Sequence, residues 1–190
     1  MGGYDFPGSN SSVDLHALTG WIPERKNLRE KDAVTYFDLL AQRKDFDISE
    51  KPDSNFTYII LSNSIRTSTG HVLATMATIG DLSEELEAKS GLVPGHAYAL
   101  LGLRKVGDKR FVKLKNPWSE KRWLGAYSHI DTKRWTPDLK KALNYDPAAK
   151  DEGIFWIEWS DLVVFFDTCY MSWYGFYLLY IDSNVLFVIF

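Results

Sequence analysis

The sequence predicts an α+β domain built around an antiparallel sheet with a few short flanking helices. Several short stretches are rich in β-branched and aromatic residues, which is typical of strands. Fewer segments, all of them short, place apolar residues at the 3.6-residue period of a helix. Gly107-Asp108 separates two of the strand-like stretches and fits a two-residue hairpin turn of type II′. Short strands together with separate helices favour the α+β class.

Four segments are predicted to be helical. Val13–Leu18 is a short helical turn within an opening rich in Gly, Ser, Asn and Asp. Asp32–Arg43 is an amphipathic helix whose first residue can cap it. Leu82–Lys89 is charged, short and helix-prone. The last predicted helix, Ser160–Asp167, begins with a serine as its cap.

The predicted strands are Phe56–Leu61, Val72–Ile79, Ala97–Val106, Arg110–Lys115 and Ile154–Trp159. The segment Lys115–Pro147 is rich in proline and tryptophan and is predicted to be irregular. The tail Tyr174–Phe190 is apolar except for Asp, Ser and Asn in its middle. A bilayer span needs about 20 mostly apolar residues, so we expect no membrane span here. A pair of core strands and an abnormal end of the chain are the alternatives.

Composition and charge exclude several classes of protein. Apolar residues make up 45% of the 190 residues and aromatic residues 15%, as in a globular chain with a core. The net charge is −3 without blocks of like charge, so neither nucleic acid nor an anionic membrane is an expected partner. Cys169 is the one cysteine and cannot form an internal disulfide, and no secretory leader is recognisable. A reducing, cytoplasmic location is the resulting expectation.

The predicted hairpin carries two polar residues at the same end. Its turn pairs Val106 with Lys109. The same register places Asn116 opposite Ala99. His96 then lies three residues away and on the other face of the sheet. A bulge or a longer loop is therefore needed to bring the His96 and Asn116 side chains together.

The residues around this pair suit acid–base chemistry. Pro117 ends the second strand because it has no N–H for the ladder, and Trp118 can then fold over the pair. An Asn oxygen that accepts from one ring nitrogen of His96 leaves the other free to take a proton from a thiol. The resulting imidazolium would hold a reactive thiolate. Because a lone His at a strand start is more often structural, the residues alone leave both interpretations open.

Four sequence blocks resemble the second half of a calpain-type cysteine protease core. They are Gly91-Leu-Val-Pro-Gly-His-Ala-Tyr-Ala-Leu, Lys115-Asn-Pro-Trp-Ser, Trp123-Leu-Gly-Ala-Tyr-Ser and Asp151-Glu-Gly-Ile-Phe-Trp-Ile. The opening Gly2-Gly-Tyr-Asp-Phe-Pro-Gly-Ser-Asn and Leu18-Thr-Gly-Trp-Ile-Pro-Glu are similar to the segment that joins the two halves of that core. In detail the sequence is most similar to the PalB-like branch of the family.

The resemblance implies a fold and a role for each site residue. The fold would be the right-hand, barrel-like lobe of the papain superfamily. His96 would be the general base and imidazolium partner, and Asn116 would orient it. Trp118 would shield that pair, and Gly95 would line the cleft beside the scissile residue. The reaction would be hydrolysis of a peptide bond through an acyl-thiol intermediate.

The resemblance also implies a domain organisation. Residues 1–30 would form an inter-lobe linker and the start of the lobe, and residues 31–173 the His/Asn lobe itself. Within that lobe, residues 44–70 have no counterpart in the family pattern and are interpreted as an insertion. The apolar tail 174–190 is atypical in the same way. Retained non-coding sequence in a gene model is the alternative explanation for both.

The family's nucleophile and its oxyanion-hole Gln belong to the preceding lobe, which has no counterpart within these 190 residues. Cys169 matches no nucleophile motif and is interpreted as a buried apolar residue. His96 and Asn116 would give almost no catalysis without a cysteine, because such groups act as a unit. We therefore expect the chain alone to be inactive and to need a Cys-bearing lobe as its partner.

Conventional calpains bind calcium in this lobe through acidic loop residues. At the corresponding positions this sequence has Arg122, His129 and Ile154, with only Glu152 acidic. Calcium takes roughly 6 to 8 oxygen ligands, and the guanidinium of Arg122 would repel it. The sequence therefore predicts no calcium site, and it indicates no other metal or cofactor.

Two functions remain open at this point. The first is half of a calpain-type endopeptidase core that acts on protein substrates. The second is a truncated or pseudo-protease that serves as a non-catalytic binding module. A serine or metallo-hydrolase has little support, because the sequence contains neither H-x-x-x-H nor G-x-S-x-G. The resemblance to PalB-like proteases further implies endosomal sorting proteins as partners.

Overall fold

The computed structural model describes residues 9–29, 72–150 and 152–173. Its strands are β1 (Ile22–Asn27), β2 (Val72–Thr78), β3 (Ala97–Val106), β4 (Lys109–Lys115), β5 (Ile154–Glu158) and β6 (Phe166–Trp173). Its helices are α1 (Ser11–Thr19), α2 (Glu84–Ser90), α3 (Pro137–Ala142) and α4 (Trp159–Phe165). The predicted helix Asp32–Arg43, the predicted strand Phe56–Leu61, the 44–70 segment and the 174–190 tail lie outside the described ranges.

The strands pair into one antiparallel sheet in the order β1-β6-β2-β3-β4-β5. The predicted α+β class is thereby confirmed, and the architecture is consistent with a papain-like lobe. The expected barrel is corrected to an open sheet, because within the described ranges no pairing joins the edge strands β1 and β5. None of the helices in those ranges is long and apolar enough to cross a membrane.

Short polar side chains and glycines set the helix ends. Asn10, Ser83 and Thr136 each accept a hydrogen bond from the backbone N–H three residues further on, at the start of α1, α2 and α3. Helices α1 and α2 end at Gly20 and Gly91, which both adopt a φ of 70°. The local sequence therefore decides where these helices begin and end.

The predicted C-terminal helix is wrong in its bounds. Helix α4 begins at Trp159 and is preceded by Glu158, which makes no side-chain cap hydrogen bond, so Ser160 is not the cap. The helix ends at Phe165, and strand β6 follows where the helix was predicted to continue. Strand β1, within the predicted linker, pairs with β6 along its whole length. Pairing between segments far apart in the chain decides both strands, and local periodicity carries no signal of it.

Two hydrophobic clusters hold the sheet and its loops. The larger cluster lies among β2 to β6 and α4, and Met76, Tyr98 and Phe166 are fully buried in it. The smaller, which we call the aromatic cluster, consists of Phe111, Tyr127, Trp135, Leu143 and Trp156. It packs the long segment after Asn116, which was predicted to be irregular but contains α3. That segment therefore packs against Phe111 of β4 and Trp156 of β5.

Candidate active site

A bulge in the hairpin decides where Asn116 lies. Val106 pairs with Lys109 as predicted, and Gly107 has the positive φ, 59°, that a type II′ turn requires. The register shifts by one residue between Leu100 and Gly102, so Ala99 faces Lys115 rather than Asn116. The predicted pairing was wrong at this end because β3 carries one extra residue. The bulge brings Asn116 one residue closer to His96 along β3.

The His96 and Asn116 side chains are hydrogen-bonded, with Nε2 of His96 2.9 Å from Oδ1 of Asn116. Asn116 has no exposed surface. Its amide nitrogen donates to the backbone oxygens of Glu120 and Lys121, the second at 2.8 Å. The backbone N–H of Trp118 donates to Oδ1 at 3.1 Å. Because two carbonyls hold the NH₂ group, the carboxamide oxygen must be the atom that faces His96.

This arrangement fixes the tautomer of a neutral His96. A carboxamide oxygen can only accept, so Nε2 must carry the proton and donate it. Nδ1 then has a free lone pair, and no residue in the described ranges forms a hydrogen bond with it. The ring is held by one nitrogen and can accept a proton at the other.

Trp118 and Gly95 flank the histidine on its open side. The Trp118 ring lies 4.3 Å from the His96 ring, centroid to centroid, at a tilt of 41°. Its side chain is 55% exposed, so it covers one side of the imidazole without closing it off. Gly95 is exposed and has a φ of 58°, which suits a residue without a Cβ. An added Cβ would meet only Gly80, at 3.6 Å, so conformation rather than space favours glycine here.

Two buried hydroxyl groups behind His96 were missed by sequence reasoning. Tyr98 packs edge-on against the His96 ring at 5.0 Å, and its hydroxyl accepts a hydrogen bond from the Val93 N–H at 2.9 Å. Burial raises the pKa of Tyr98 from 10.0 to about 12. Thr78, at the end of β2, bonds the same turn through its own hydroxyl. Thr78 lies outside the sequence blocks that carry the resemblance, and Tyr98 lies within the first of them but was assigned no role.

Cys169 lies far inside the sheet. It pairs with Met76 across β6 and β2, its side chain has no exposed surface, and it belongs to the larger hydrophobic cluster. Its interpretation as a buried apolar residue is consistent with this position. A thiol without exposed surface cannot meet a substrate carbonyl, so it does not suit the role of nucleophile.

A cavity of about 430 Å³ lies beside the loop that holds Asn116. Its lining is Glu84, Glu87, Ala88, Gly91, Lys121, Arg122, Leu124 and His129. Lys121 and Glu87 form an ion pair across it at 3.4 Å. Arg122 and His129 therefore meet in one place, whereas Glu152 and Ile154 are not part of the lining. Basic groups outnumber carboxylates in this cavity, which does not suit a calcium ion.

Comparisons with known proteins identify a family and several relatives. The family model for calpain family cysteine proteases matches residues 5–172. Calpain-7 of Homo sapiens is 48% identical over 176 residues, which cover 91% of this chain and 19% of that protein. The calpain-like protease palB/cpr-8 of Neurospora crassa is 35% identical over 173 residues, 90% of this chain and 16% of that protein.

A plant relative matches a shorter part. The calpain-type cysteine protease DEK1 of Arabidopsis thaliana is 40% identical over 85 residues, 44% of this chain and 4% of that protein. The chain spans about a fifth of the length of Calpain-7. With a family model matched over most of its length, the chain belongs to the calpain family of cysteine proteases, in the branch of Calpain-7 and the PalB-like proteases.

Proposed function

We propose that this chain supplies the general base and its orienting amide for peptide-bond hydrolysis by a calpain-type cysteine endopeptidase. The observation that carries the proposal is the hydrogen bond from His96 to a carboxamide whose orientation two backbone carbonyls fix. A merely structural histidine needs no such second set of contacts. The arrangement presents one ring nitrogen to an incoming proton and holds the other.

Nδ1 of His96 takes the proton of a cysteine thiol, and the thiolate attacks the peptide carbonyl. The imidazolium keeps its Nε2–H bond to Asn116 and is stabilised by it. It then gives the Nδ1 proton to the leaving amine, which leaves an acyl-thiol. Water attacks this acyl group with His96 again as the base, and the carboxylic acid and the thiol are released. Since Cys169 is buried, the thiol in this proposal comes from polypeptide outside these 190 residues.

The test joins the chain to a Cys-bearing calpain lobe and measures cleavage of casein. The unmodified chain should give cleavage, and His96→Ala should lower the rate on the order of 10³-fold or more, since the base acts as one unit with the thiol. His16→Ala is a matched control, because His16 is an exposed histidine on α1. Full cleavage by the His96→Ala form would contradict the proposal.

The non-catalytic binding module stays as a second candidate, favoured by the exposure of Trp118. A large aromatic ring that is 55% exposed next to a cleft suits protein recognition. The same joined protein distinguishes the two functions. A binding module would hold casein equally well with and without His96 and would release no peptides.

We also propose that this lobe needs no calcium ion. The support is the residue types at the four positions that the family resemblance assigns to calcium, since Arg122, His129 and Ile154 leave Glu152 as the one carboxylate among them. Arg122 and His129 also line one cavity together with Lys121. A cation that bound the folded chain would raise its melting temperature. We expect the melting temperatures in calcium at about 1 mM and in EDTA to agree within about 1 °C. A rise of several degrees with calcium would contradict this.

A further inference from the structure

We propose that Thr78 is a positioning residue for His96, whose hydroxyl group is built into the turn that presents the imidazole. The inference rests on the proposed function, because it concerns how the base is held. Thr78 is the last residue of β2, lies 18 positions before His96 in the chain, and is 3% exposed. The hydrogen bonds of its side chain go to the four-residue turn from Val93 to His96.

The hydroxyl of Thr78 bridges the two ends of that turn. It donates to the backbone oxygen of Val93 at 2.6 Å and accepts from the backbone N–H of His96 at 2.9 Å. The carbonyl oxygen of His96 lies further away, at 3.1 Å. A β-turn is usually closed by a direct bond from the N–H of its fourth residue to the carbonyl of its first. Here the Thr78 hydroxyl bonds both of these groups, so it adds a second link across the turn at Pro94 and Gly95.

Backbone hydrogen bonds also connect this turn to the sheet. The N–H of Thr78 donates to the carbonyl of His96 at 3.0 Å, and the N–H of Gly95 donates to the carbonyl of Ile79 at 3.1 Å. On the other side, the hydroxyl of Tyr98 accepts from the N–H of Val93 at 2.9 Å. The turn is therefore fixed from both sides by buried groups. These contacts fix the direction in which the His96 side chain leaves the backbone. Its ring is thereby placed within hydrogen-bond distance of Asn116.

Thr78→Val removes the hydroxyl and keeps the shape of the side chain. The carbonyl of Val93 and the N–H of His96 then lose the hydroxyl that bonds both of them, which is costly for buried groups. With only each other as partners, they no longer fix the backbone of His96 to the end of β2 through this side chain, and we expect the His96 ring to be held less firmly beside Asn116. Thr78→Ser keeps the hydroxyl and should keep the geometry.

The test follows the Nε2 proton of His96 by NMR in the ¹⁵N-histidine-labelled chain. In the unmodified chain the proton is donated to Asn116 and should exchange slowly with water. Thr78→Val should speed this exchange about tenfold, which corresponds to the loss of one hydrogen bond. Thr78→Ser should restore the slow rate. Thr75→Val is the matched control. It also removes a hydroxyl group from β2, but this hydroxyl bonds the side chain of Ser11 and not the turn.

The outcomes separate this inference from the proposed function. Slow exchange that Thr78→Val leaves unchanged would overturn the inference and leave the proposed function standing. Fast exchange in the unmodified chain would contradict both, starting with the His96–Asn116 bond itself. If Thr78→Val does not fold, hydrogen exchange of the His96 backbone N–H in the unmodified chain provides the test. This N–H is donated to the buried hydroxyl of Thr78, so it should exchange more slowly than the N–H of exposed Gly107. Equal exchange rates would overturn the inference.

Discussion

At the scale of single residues, the chemistry depends on which end of one carboxamide faces His96. Glu120 and Lys121 contribute only backbone carbonyls, yet these carbonyls make Oδ1 of Asn116 the acceptor and set the tautomer of a neutral His96. The identities of His96 and Asn116 could be predicted from sequence, because they stand in blocks that resemble a family. Thr78 lies outside those blocks, and Tyr98 lies within one of them but received no role, since a hydroxyl that bonds backbone atoms leaves no pattern in spacing.

Tyr98→Phe tests the hydrogen bond that the Tyr98 hydroxyl accepts from the turn before His96. The variant leaves the Val93 N–H without its acceptor, and we expect it to lower the free energy of unfolding by about 1–2 kcal/mol near pH 8. Burial raises the pKa of Tyr98 from 10.0 to about 12, so the folded chain keeps a neutral phenol at a pH where the same side chain ionises in the unfolded chain. That contribution is fully present below about pH 10 and is lost as the pH rises towards 12.

The difference between the two proteins should therefore shrink between about pH 8 and about pH 11. Urea unfolding at both pH values measures it. A difference that grows with pH would mean that the Tyr98 hydroxyl is not held neutral in the fold.

At the scale of elements, a bulge and a helix end bring the two halves of the site together. The hairpin and its turn could be predicted from Gly107-Asp108, and the register indicated that a bulge or a longer loop would bring His96 and Asn116 together. Its place at Leu101 could not be predicted, because a bulge is set by packing of both strands. Strands β1 and β6 were not predicted for a related reason. They pair with each other although they lie far apart in the chain, and the local sequence does not indicate this pairing.

Gly91→Ala and Gly20→Ala form a matched pair at the ends of α2 and α1. Both glycines have a φ of 70°, so both substitutions carry the same conformational cost, about 1 kcal/mol. A Cβ at Gly20 meets nothing within 4 Å, whereas one at Gly91 would lie 2.4 Å from the backbone oxygen of Arg122. Gly91→Ala should therefore cost at least about 2 kcal/mol more in unfolding free energy.

Chemical denaturation of the two variants measures this difference. Because Leu124 donates to the carbonyl of Ser90 beside the same glycine, the Gly91 variant should also disturb the loop that holds Asn116. Equal losses of stability at the two positions would show that α2 does not pack against this loop as described.

At the scale of the whole molecule, one sheet carries the hydrogen-bonded pair His96 and Asn116 at one end and buries the thiol of Cys169. The aromatic cluster packs the long segment after Asn116 against the sheet, although composition alone predicted that this segment is irregular. The α+β class followed from local pattern. The open sheet could not be told from a barrel in that way, because closure depends on which strands lie at the edges.

Cys169 should resist alkylation in the folded chain. It has no exposed surface and lies in the larger hydrophobic cluster, so iodoacetamide can reach it only after the sheet opens. We expect modification to be at least about 100-fold slower in buffer than in concentrated urea, as read by mass spectrometry. Rapid labelling of the native chain would mean that the thiol is accessible and would reopen its candidacy as the nucleophile.

The bond between His96 and Asn116 is tested most directly by two-dimensional NMR of ring nitrogens in the ¹⁵N-histidine-labelled chain. For the neutral imidazole we expect a proton on Nε2, no proton on Nδ1, and an Nε2–H signal that disappears in Asn116→Ala. A proton on Nδ1, or an Nε2–H signal that Asn116→Ala leaves unchanged, would contradict it.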